Sequence, residues 1–282
     1  MKDRVSKRNN MLKALAGTTW GKEPETLITT YKAIGRSIFN YCAPIWSPTL
    51  SQTNWKDLQI QQNAALRTAL GCVKMSDVDH LHAESKCLKV EQHNDLLSKQ
   101  FHLSTKLTGH VNFSIPDHPP ARLMKHTLSS RYEADIKHLY IAEGNDDATH
   151  KAGMADIHTA AVTAAINELQ PSKVLGTAAP EVNKAEKSLP RSTRVTLCQL
   201  RSGYSPFLKT FANRLNPEIR ADCPKCQSAP HDTSHLFSCP MDPTNLTVHS
   251  LWDNPVAAAA FLGLEMTDAD DNVGDDRQGD PG

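Results

Sequence analysis

Long apolar runs and a secretory signal are both missing from this sequence of 282 residues. No window approaches the roughly 18 uninterrupted apolar residues that a membrane-spanning helix needs. The charged start, MKDRVSKRNN, is not followed by the apolar stretch of a signal peptide. We therefore expect a soluble, intracellular protein that has no membrane partner.

The chain also has no excess of charge of one sign, because 31 Lys and Arg residues balance 31 Asp and Glu residues. This balance excludes a uniformly basic nucleic-acid coat and a uniformly acidic chaperone. Residues 265–282, however, contain seven acidic residues and one arginine, so the rest of the chain has six more basic than acidic residues. A local electropositive face is therefore compatible with zero net charge.

Common catalytic motifs are absent as well. The sequence contains no Gly-x-Ser-x-Gly elbow and no phosphate-binding Gly-x₄-Gly-Lys-Ser/Thr loop. Its Asp-Asp pairs lie in a polar turn at 146–147 and in the acidic tail at 270–271 and 275–276, without the apolar strands that would hold a polymerase site. We predict no catalytic residue in this chain and no small-molecule substrate.

Helical periodicity is what the sequence does contain. After Pro24, apolar residues including Tyr31, Ile38 and Tyr41 recur at three- and four-residue intervals, which predicts a helix with one apolar face. We predict a mainly α fold with a helical domain over 1–110, a flexible linker with a short helix over 111–190, basic helices with a metal-binding segment over 191–264, and a disordered acidic tail over 265–282.

One cluster of cysteines and histidines has the spacing of a metal site. Two residues separate Cys223 from Cys226, eight separate Cys226 from His235, and three separate His235 from Cys239. Thiolate sulfur and imidazole nitrogen are the donors that tetrahedral zinc prefers. We predict that these four residues hold a structural Zn²⁺ ion, although His231 could replace Cys239 as the fourth ligand.

The other cysteines and several histidines show no such spacing. Cys42, Cys72, Cys87 and Cys198 are scattered singly among apolar neighbours, which predicts buried, reduced thiols. No thiol or carboxylate set at suitable spacing accompanies His80, His82 or His93, so we expect these to be core or surface histidines.

Two parts of the chain resemble one protein family. Residues 27–72, with the motif NYCAPIW at 40–46, resemble the region that follows the polymerase palm in reverse transcriptases of non-LTR retrotransposons, the Jockey-like group in particular. The motif LRSGY at 200–204, the cysteine cluster and residues 251–264 are similar to the C-terminal zinc-knuckle region of the same group.

The resemblance implies a helical thumb that holds the template–primer duplex and a CCHC knuckle that binds RNA or DNA. It suggests contacts to the nucleic-acid backbone from Lys32, Arg36 and Arg67 in the thumb. Near the knuckle it suggests contacts from Arg191, Arg194 and Arg201. It also implies a location in the nucleus or in a cytoplasmic ribonucleoprotein.

Two departures limit what the resemblance implies. The family's palm, with its Tyr/Phe-x-Asp-Asp pair, is not in this chain, so we expect it to be inactive alone as an RNA-directed DNA polymerase. The His-x₃-Cys spacing also differs from the His-x₄-Cys of retroviral nucleocapsid knuckles. A stand-alone zinc-dependent nucleic-acid-binding protein and an inert relic of a truncated element are the alternatives.

Overall fold

The protein is mainly α-helical. A computed structural model describes residues 1–17, 21–107, 127–141 and 147–266. Helices predominate among the described residues, which form no strand, and this confirms the prediction of a mainly α fold. The helices are, in chain order, α1 (Lys2–Ala14), α2 (Pro24–Tyr31), α3 (Ser37–Asn40), α4 (Ala43–Trp46), α5 (Gln52–Leu70), α6 (Val78–Ser85), α7 (Val90–Leu107), α8 (Leu128–Ile141), α9 (Asp147–Asn167), α10 (Arg191–Ser202), α11 (Lys209–Leu215), α12 (Thr233–Leu236), α13 (Ser250–Asp253) and α14 (Pro255–Phe261).

The described residues fall into two compact units. Unit 1 is drawn from Met1–Leu12, Ile28–Leu66 and Lys86–Leu169, and unit 2 from Lys13–Leu27, Arg67–Ser85 and Gln170–Gly282. The limits at 110 and 190 that we predicted from the sequence do not coincide with this division. Each unit combines segments that are distant in the chain, and helical periodicity contains no information about which distant segments pack together.

In unit 1, α7 packs against α8 and α9. Leu96 and Leu103 of α7 form a buried cluster with Ile136 and Ile157. The predicted linker therefore contains helices of 14 and 21 residues rather than one short helix. The remainder of that linker between α7 and α8, from 111 to 126, lies outside the described residues.

A π-helical turn at Lys32–Arg36 interrupts the first predicted helix of unit 1. Such a turn inserts an extra residue into the helical repeat and so rotates the following residues. Phe39 after this turn is fully buried. Tyr41, which we placed on the apolar face, lies just after the end of α3 with a non-helical backbone and is 76% exposed, so the predicted helix ends one residue too late.

The core of unit 2 forms around α10. Leu197 and Leu200 are fully buried there, and they belong to one cluster with Trp252, Leu236 and Phe237. The last two residues lie between His235 and Cys239, so the predicted metal-binding segment is packed on the core of this unit. The predicted acidic tail lies outside the described residues from 267 onward.

None of the helices in the described ranges has the length and apolar character that crossing a lipid bilayer requires.

Candidate metal centre and basic surface

The first two predicted ligands lie in a tight turn. The N–H of Gln227 donates to the carbonyl of Cys223 over 2.9 Å, and Gln227 adopts a left-handed conformation with a φ of 53°. The N–H of Cys223 donates in turn to the carbonyl of Ala229 over 2.8 Å. These backbone bonds bend the segment so that Cys223 and Cys226 lie on the same side of it.

A short helix positions the other two predicted ligands. Asp232 caps α12, because its carboxylate accepts a 2.8 Å hydrogen bond from the N–H of His235. The N–H of Ser238 donates to the carbonyl of His235 over 3.1 Å, which continues the turn to Cys239. The cap and this turn place His235 and Cys239 beside the cysteine turn.

The ligand atoms of Cys223, Cys226, His235 and Cys239 all lie within 4.8 Å of one another, and we call this group the knuckle site. The Cys223 and Cys239 sulfurs are 3.8 Å apart, and the Cys226 sulfur is 3.2 Å from Nε2 of His235. Zn–S bonds of about 2.3 Å in a tetrahedron place two sulfurs about 3.8 Å apart. The four side chains therefore fit a tetrahedral metal ion.

The surroundings of the knuckle site favour the thiolate form at two of its three cysteines. Hydrogen bonds from the Ser228 hydroxyl and N–H lower the pKa of Cys226 to about 6. Burial alone would raise the pKa of Cys223, but the N–H groups of Cys226 and Lys225 outweigh this effect and the pKa is lowered. The site thus prepares two of its sulfurs for the deprotonation that metal binding requires.

His231 lies outside the knuckle site. Its Nδ1 accepts a 3.1 Å hydrogen bond from the N–H of Lys209, and its ring stacks on Phe207 with the ring centroids 6.4 Å apart. The structure therefore brings Cys239, and not His231, into the group of four. The sequence spacing alone left these two residues as alternatives.

The three arginines that we expected at a nucleic-acid surface near the knuckle are buried. Arg201 is 1% exposed, and its guanidinium contacts the carboxylates of Glu84 and Glu186, with Nε 2.7 Å from Glu84. Arg194 pairs with Glu23 and Glu25. In this conformation neither guanidinium presents a face to a phosphate group, which corrects the expectation for both residues.

Arg191, the third of these arginines, is 3% exposed. Its Nε donates a 2.8 Å hydrogen bond to the carbonyl of Gly17, and its Nη1 donates to the carbonyl of Ala69 over 3.2 Å. These bonds tie α10 to two other segments of unit 2. Arg191 is therefore a structural residue. Its burial corrects the expectation that it lies on an exposed nucleic-acid surface.

The basic residues that we expected in the thumb occupy different surroundings. Lys32 is exposed and Arg36 is half-buried in the π-helical turn of unit 1. Arg67 belongs to unit 2, where its Nη2 donates to the carbonyl of Ser76 over 3.1 Å. Lys32 and Arg36 thus share one turn of unit 1, whereas Arg67 belongs to unit 2.

A basic groove in unit 2 includes residues at the start of α12, close in the chain to the knuckle site. The groove has a volume of about 290 Å³ and is lined by Lys173, Tyr204 and Arg214 together with Asp232–Ser234 at the start of α12. The ammonium group of Lys173 lies 3.6 Å from the centroid of the Tyr204 ring, and Nη1 of Arg214 lies 3.3 Å from the Tyr204 hydroxyl. Lys173, and then Arg214, lower the pKa of Tyr204.

Phe207 and Lys209 do not line the groove, but they lie in the same stretch of chain and both contact His231. Phe207 is 39% exposed and Lys209 is exposed. We call Lys173, Tyr204, Phe207, Lys209 and Arg214 the basic aromatic surface. Alternation of basic and aromatic residues from 204 to 214 was the signal in the sequence that could have revealed it, but Lys173 is too distant in the chain to be recognised in that way.

The remaining cysteines divide into three buried thiols and one exposed thiol. Cys72, Cys87 and Cys198 are buried as expected. Cys42 is exposed, which corrects its expected burial, and it precedes α4 in a left-handed conformation with a φ of 53°.

Comparison with known proteins identifies no relative of this chain. No protein-family model, no curated protein and no solved structure matches it.

Proposed function

We propose that residues 191–264 form a zinc-knuckle module that binds RNA or DNA. The observation that carries this proposal is the convergence of four thiol and imidazole ligand atoms within 4.8 Å of one another. When bound, zinc would supply the cross-links that hold the cysteine turn against α12. The chain's own residues supply the surface that contacts nucleic acid.

The donor set favours a structural metal ion over a catalytic one. Four protein ligands fill a tetrahedral shell, whereas a catalytic zinc keeps one position for water or substrate. The acid next to the site, Asp232, accepts the hydrogen bond that caps α12 and has no role as a free base there. The role of the metal is therefore to fold a segment that has little core of its own.

The basic aromatic surface supports nucleic acid as the partner. Single-stranded nucleic acids are bound by cationic side chains that follow the phosphates and by aromatic rings on which bases stack. Lys173 and Arg214 provide the cations beside Tyr204, and Phe207 provides an exposed ring. Because Asp232–Ser234 line the same groove, folding of the knuckle shapes this surface.

We further propose that the chain is the C-terminal part of a non-LTR retrotransposon reverse transcriptase, with unit 1 as a thumb-like bundle for the template–primer. The motifs of residues 27–72 and 200–264 support this identity, and the exposed Lys32 and half-buried Arg36 remain candidates for backbone contacts. Genomic DNA upstream of the Met1 codon tests it: a palm-coding sequence with a Tyr/Phe-x-Asp-Asp motif is expected, and a promoter with a clean start would overturn it.

Binding is tested by fluorescence anisotropy with labelled single-stranded RNA and DNA at several salt concentrations. The double variant Lys173→Gln, Arg214→Gln removes two cations, so the slope of log K against log salt concentration should fall by about 1.4. Phe207→Ala removes a stacking ring and should weaken binding by about 1–3 kcal/mol with the slope unchanged.

Lys184→Gln is the matched control, because Lys184 is an exposed lysine of unit 2 that does not line the groove. Unchanged affinity and slope in the double variant would show that the groove does not contact nucleic acid. The role of the metal is tested separately with Cys226→Ser, which should lose the zinc ion of the knuckle site and most binding, against the exposed Cys42→Ser. Full binding by Cys226→Ser would separate the knuckle from nucleic-acid recognition.

A further inference from the structure

A second group of metal-binding side chains lies in unit 2, away from the knuckle site. Cys72, His80 and Cys198 each offer one ligand atom, and these atoms lie within 4.8 Å of one another. Cys72 is 9% exposed and Cys198 is 3% exposed. We call these three residues the dispersed site.

The distances within the dispersed site suit a metal ion. The Cys72 and Cys198 sulfurs are 3.4 Å apart, and Nε2 of His80 lies 3.6 Å from the Cys198 sulfur. A tetrahedral zinc ion places two sulfurs about 3.8 Å apart and a sulfur and an imidazole nitrogen about 3.5 Å apart. Small movements of the side chains would therefore complete the coordination.

Three elements of unit 2 bring these ligands together. Cys72 follows the end of α5, where Gly71 has a φ of 70° and its carbonyl accepts a 2.7 Å hydrogen bond from Gln199 of α10. A side chain at Gly71 would place its Cβ 2.6 Å from Val195. Glycine thus permits the close approach that puts the Cys72 sulfur beside α10.

A buried ion pair fixes the third ligand. His80 and Glu84 are four residues apart on α6, and Cys198 and Arg201 are three residues apart on α10, so each pair shares one helix face. Arg201 donates to both carboxylate oxygens of Glu84, at 2.7 and 3.0 Å. This bidentate pair sets the position of α6 against α10 one turn away from His80 and Cys198.

The charge of the three side chains also suits a divalent cation. Two thiolates and a neutral imidazole balance the charge of Zn²⁺, so the complex adds no net charge to a buried site. Nε2 of His80 lies 3.1 Å from the Cys198 carbonyl oxygen. Metal binding therefore requires the proton on Nδ1 and the loss of that contact.

We propose that Cys72, His80 and Cys198 bind a second zinc ion. Among the described residues no further cysteine, histidine or acidic side chain joins this group, so the fourth coordination position falls to water or to an added ligand. Zinc binding at the dispersed site would require neither nucleic acid nor the knuckle site. The alternative is a Cys72–Cys198 disulfide, which would leave neither of these two sulfurs as a thiolate for a metal.

Zinc is counted by elemental analysis of the full chain after metal-free protein has been loaded with zinc and passed through a desalting column. Wild-type protein should hold about two zinc ions per chain. Cys72→Ser and Cys226→Ser should each hold about one. The buried Cys87→Ser, whose thiol lies in neither group, should hold the wild-type number.

The double variant Cys226→Ser, Cys239→Ser isolates the dispersed site even if Cys72→Ser does not fold. Loaded with Co²⁺, it should show the sulfur-to-cobalt absorption of a two-thiolate tetrahedral site, and the further substitution His80→Ala should weaken that absorption. A folded wild type with about one zinc ion, together with a metal-free double variant, would overturn the proposal. A mass two hydrogens lower than that of the reduced double variant would assign the sulfurs to a disulfide instead.

Discussion

The knuckle site and the dispersed site use similar ligands but differ in how the chain supplies them. The knuckle ligands lie within residues 223–239, where backbone hydrogen bonds of one turn and one short helix position them. In the dispersed site, Cys72 and Cys198 are 126 positions apart, and tertiary contacts position them. The knuckle site therefore depends mainly on local structure, and the dispersed site on the packing of unit 2.

Because of this difference, we expect zinc to contribute differently to folding at the two sites. Zinc at the knuckle site would cross-link a short segment that has few buried residues of its own. Zinc at the dispersed site would bind to helices that ion pairs and apolar contacts already hold together. Substitutions that disturb the packing of α6, α10 and the end of α5 should consequently affect the two sites unequally.

The largest expected effect comes from Arg201→Met. Arg201 is 1% exposed and contacts Glu84 and Glu186, so its removal leaves two buried carboxylates without their cation. Loss of one partner from a buried ion pair costs about 3–5 kcal/mol of unfolding free energy. Denaturant titration followed by circular dichroism measures this loss, and zinc counting should show that the dispersed site loses its ion at lower denaturant concentrations than the knuckle site.

Arg220→Met is the matched control for Arg201→Met. Arg220 also pairs with an acid, Asp222, but its side chain is 78% exposed. An exposed pair of this kind contributes little to stability, so the midpoint of unfolding should stay within experimental error. Equal losses in the two variants would show that Arg201 does not stabilise unit 2 through its burial.

The sequence indicated the knuckle site because its ligands are close together in the chain. The spacing of Cys223, Cys226 and His235 reflects one turn and one helix start, and periodicity correctly indicated a mainly helical chain. The choice between His231 and Cys239 needed coordinates, because both spacings suit a helix or turn. The structure decides it, because the ligand atom of Cys239 lies with the other three and that of His231 does not.

The dispersed site could not be predicted from spacing. His80 appeared to have no set of ligand partners, because Cys198 lies 118 positions away in the chain. The arginines of α10 show the same limitation. Their sequence suggests a basic helix face, but only the fold reveals that Glu84, Glu186, Glu23 and Glu25 neutralise Arg201 and Arg194. Charge counts along a segment cannot detect acids that approach from other segments.

A smaller effect is expected for Gly71→Ala, which tests the packing next to Cys72. The left-handed φ of 70° and the 2.6 Å approach of a Cβ to Val195 both oppose a side chain. A left-handed conformation costs an alanine about 1–2 kcal/mol, and the clash adds to this cost. Thermal unfolding should show the loss, and the zinc affinity of the dispersed site should fall while that of the knuckle site is kept.

Gly176→Ala separates the cost of the left-handed conformation from the cost of the contact with Val195. Gly176 has the same φ of 70°, but a Cβ there meets no atom within 4 Å. The difference between the two variants therefore measures the contact with Val195 alone. If Gly71→Ala and Gly176→Ala lose the same stability and the same zinc, close approach at Gly71 does not determine the geometry of the dispersed site.

The smallest expected effect is a difference in thiol ionisation between the sites of the metal-free protein. Ser228 lowers the pKa of Cys226 to about 6, whereas the hydrogen bond with Cys72, and then burial, raise the pKa of Cys198 well above its usual range. Thiolates react with iodoacetamide and thiols do not. Alkylation of Cys226, followed by peptide mass spectrometry, should therefore rise with pH around a midpoint near 6, while Cys198 stays unmodified at neutral pH.

Ser228→Ala should move the Cys226 midpoint to higher pH, because the thiolate loses the 3.2 Å hydrogen bond from the Ser228 hydroxyl. Ser238→Ala is the control, since the Ser238 hydroxyl donates to the carbonyl of Ser234 and not to a sulfur. An unchanged midpoint in Ser228→Ala would mean that another group ionises Cys226. Equal reactivity of Cys226 and Cys198 would mean that the pKa values of the two thiols do not differ as their hydrogen bonds and burial predict.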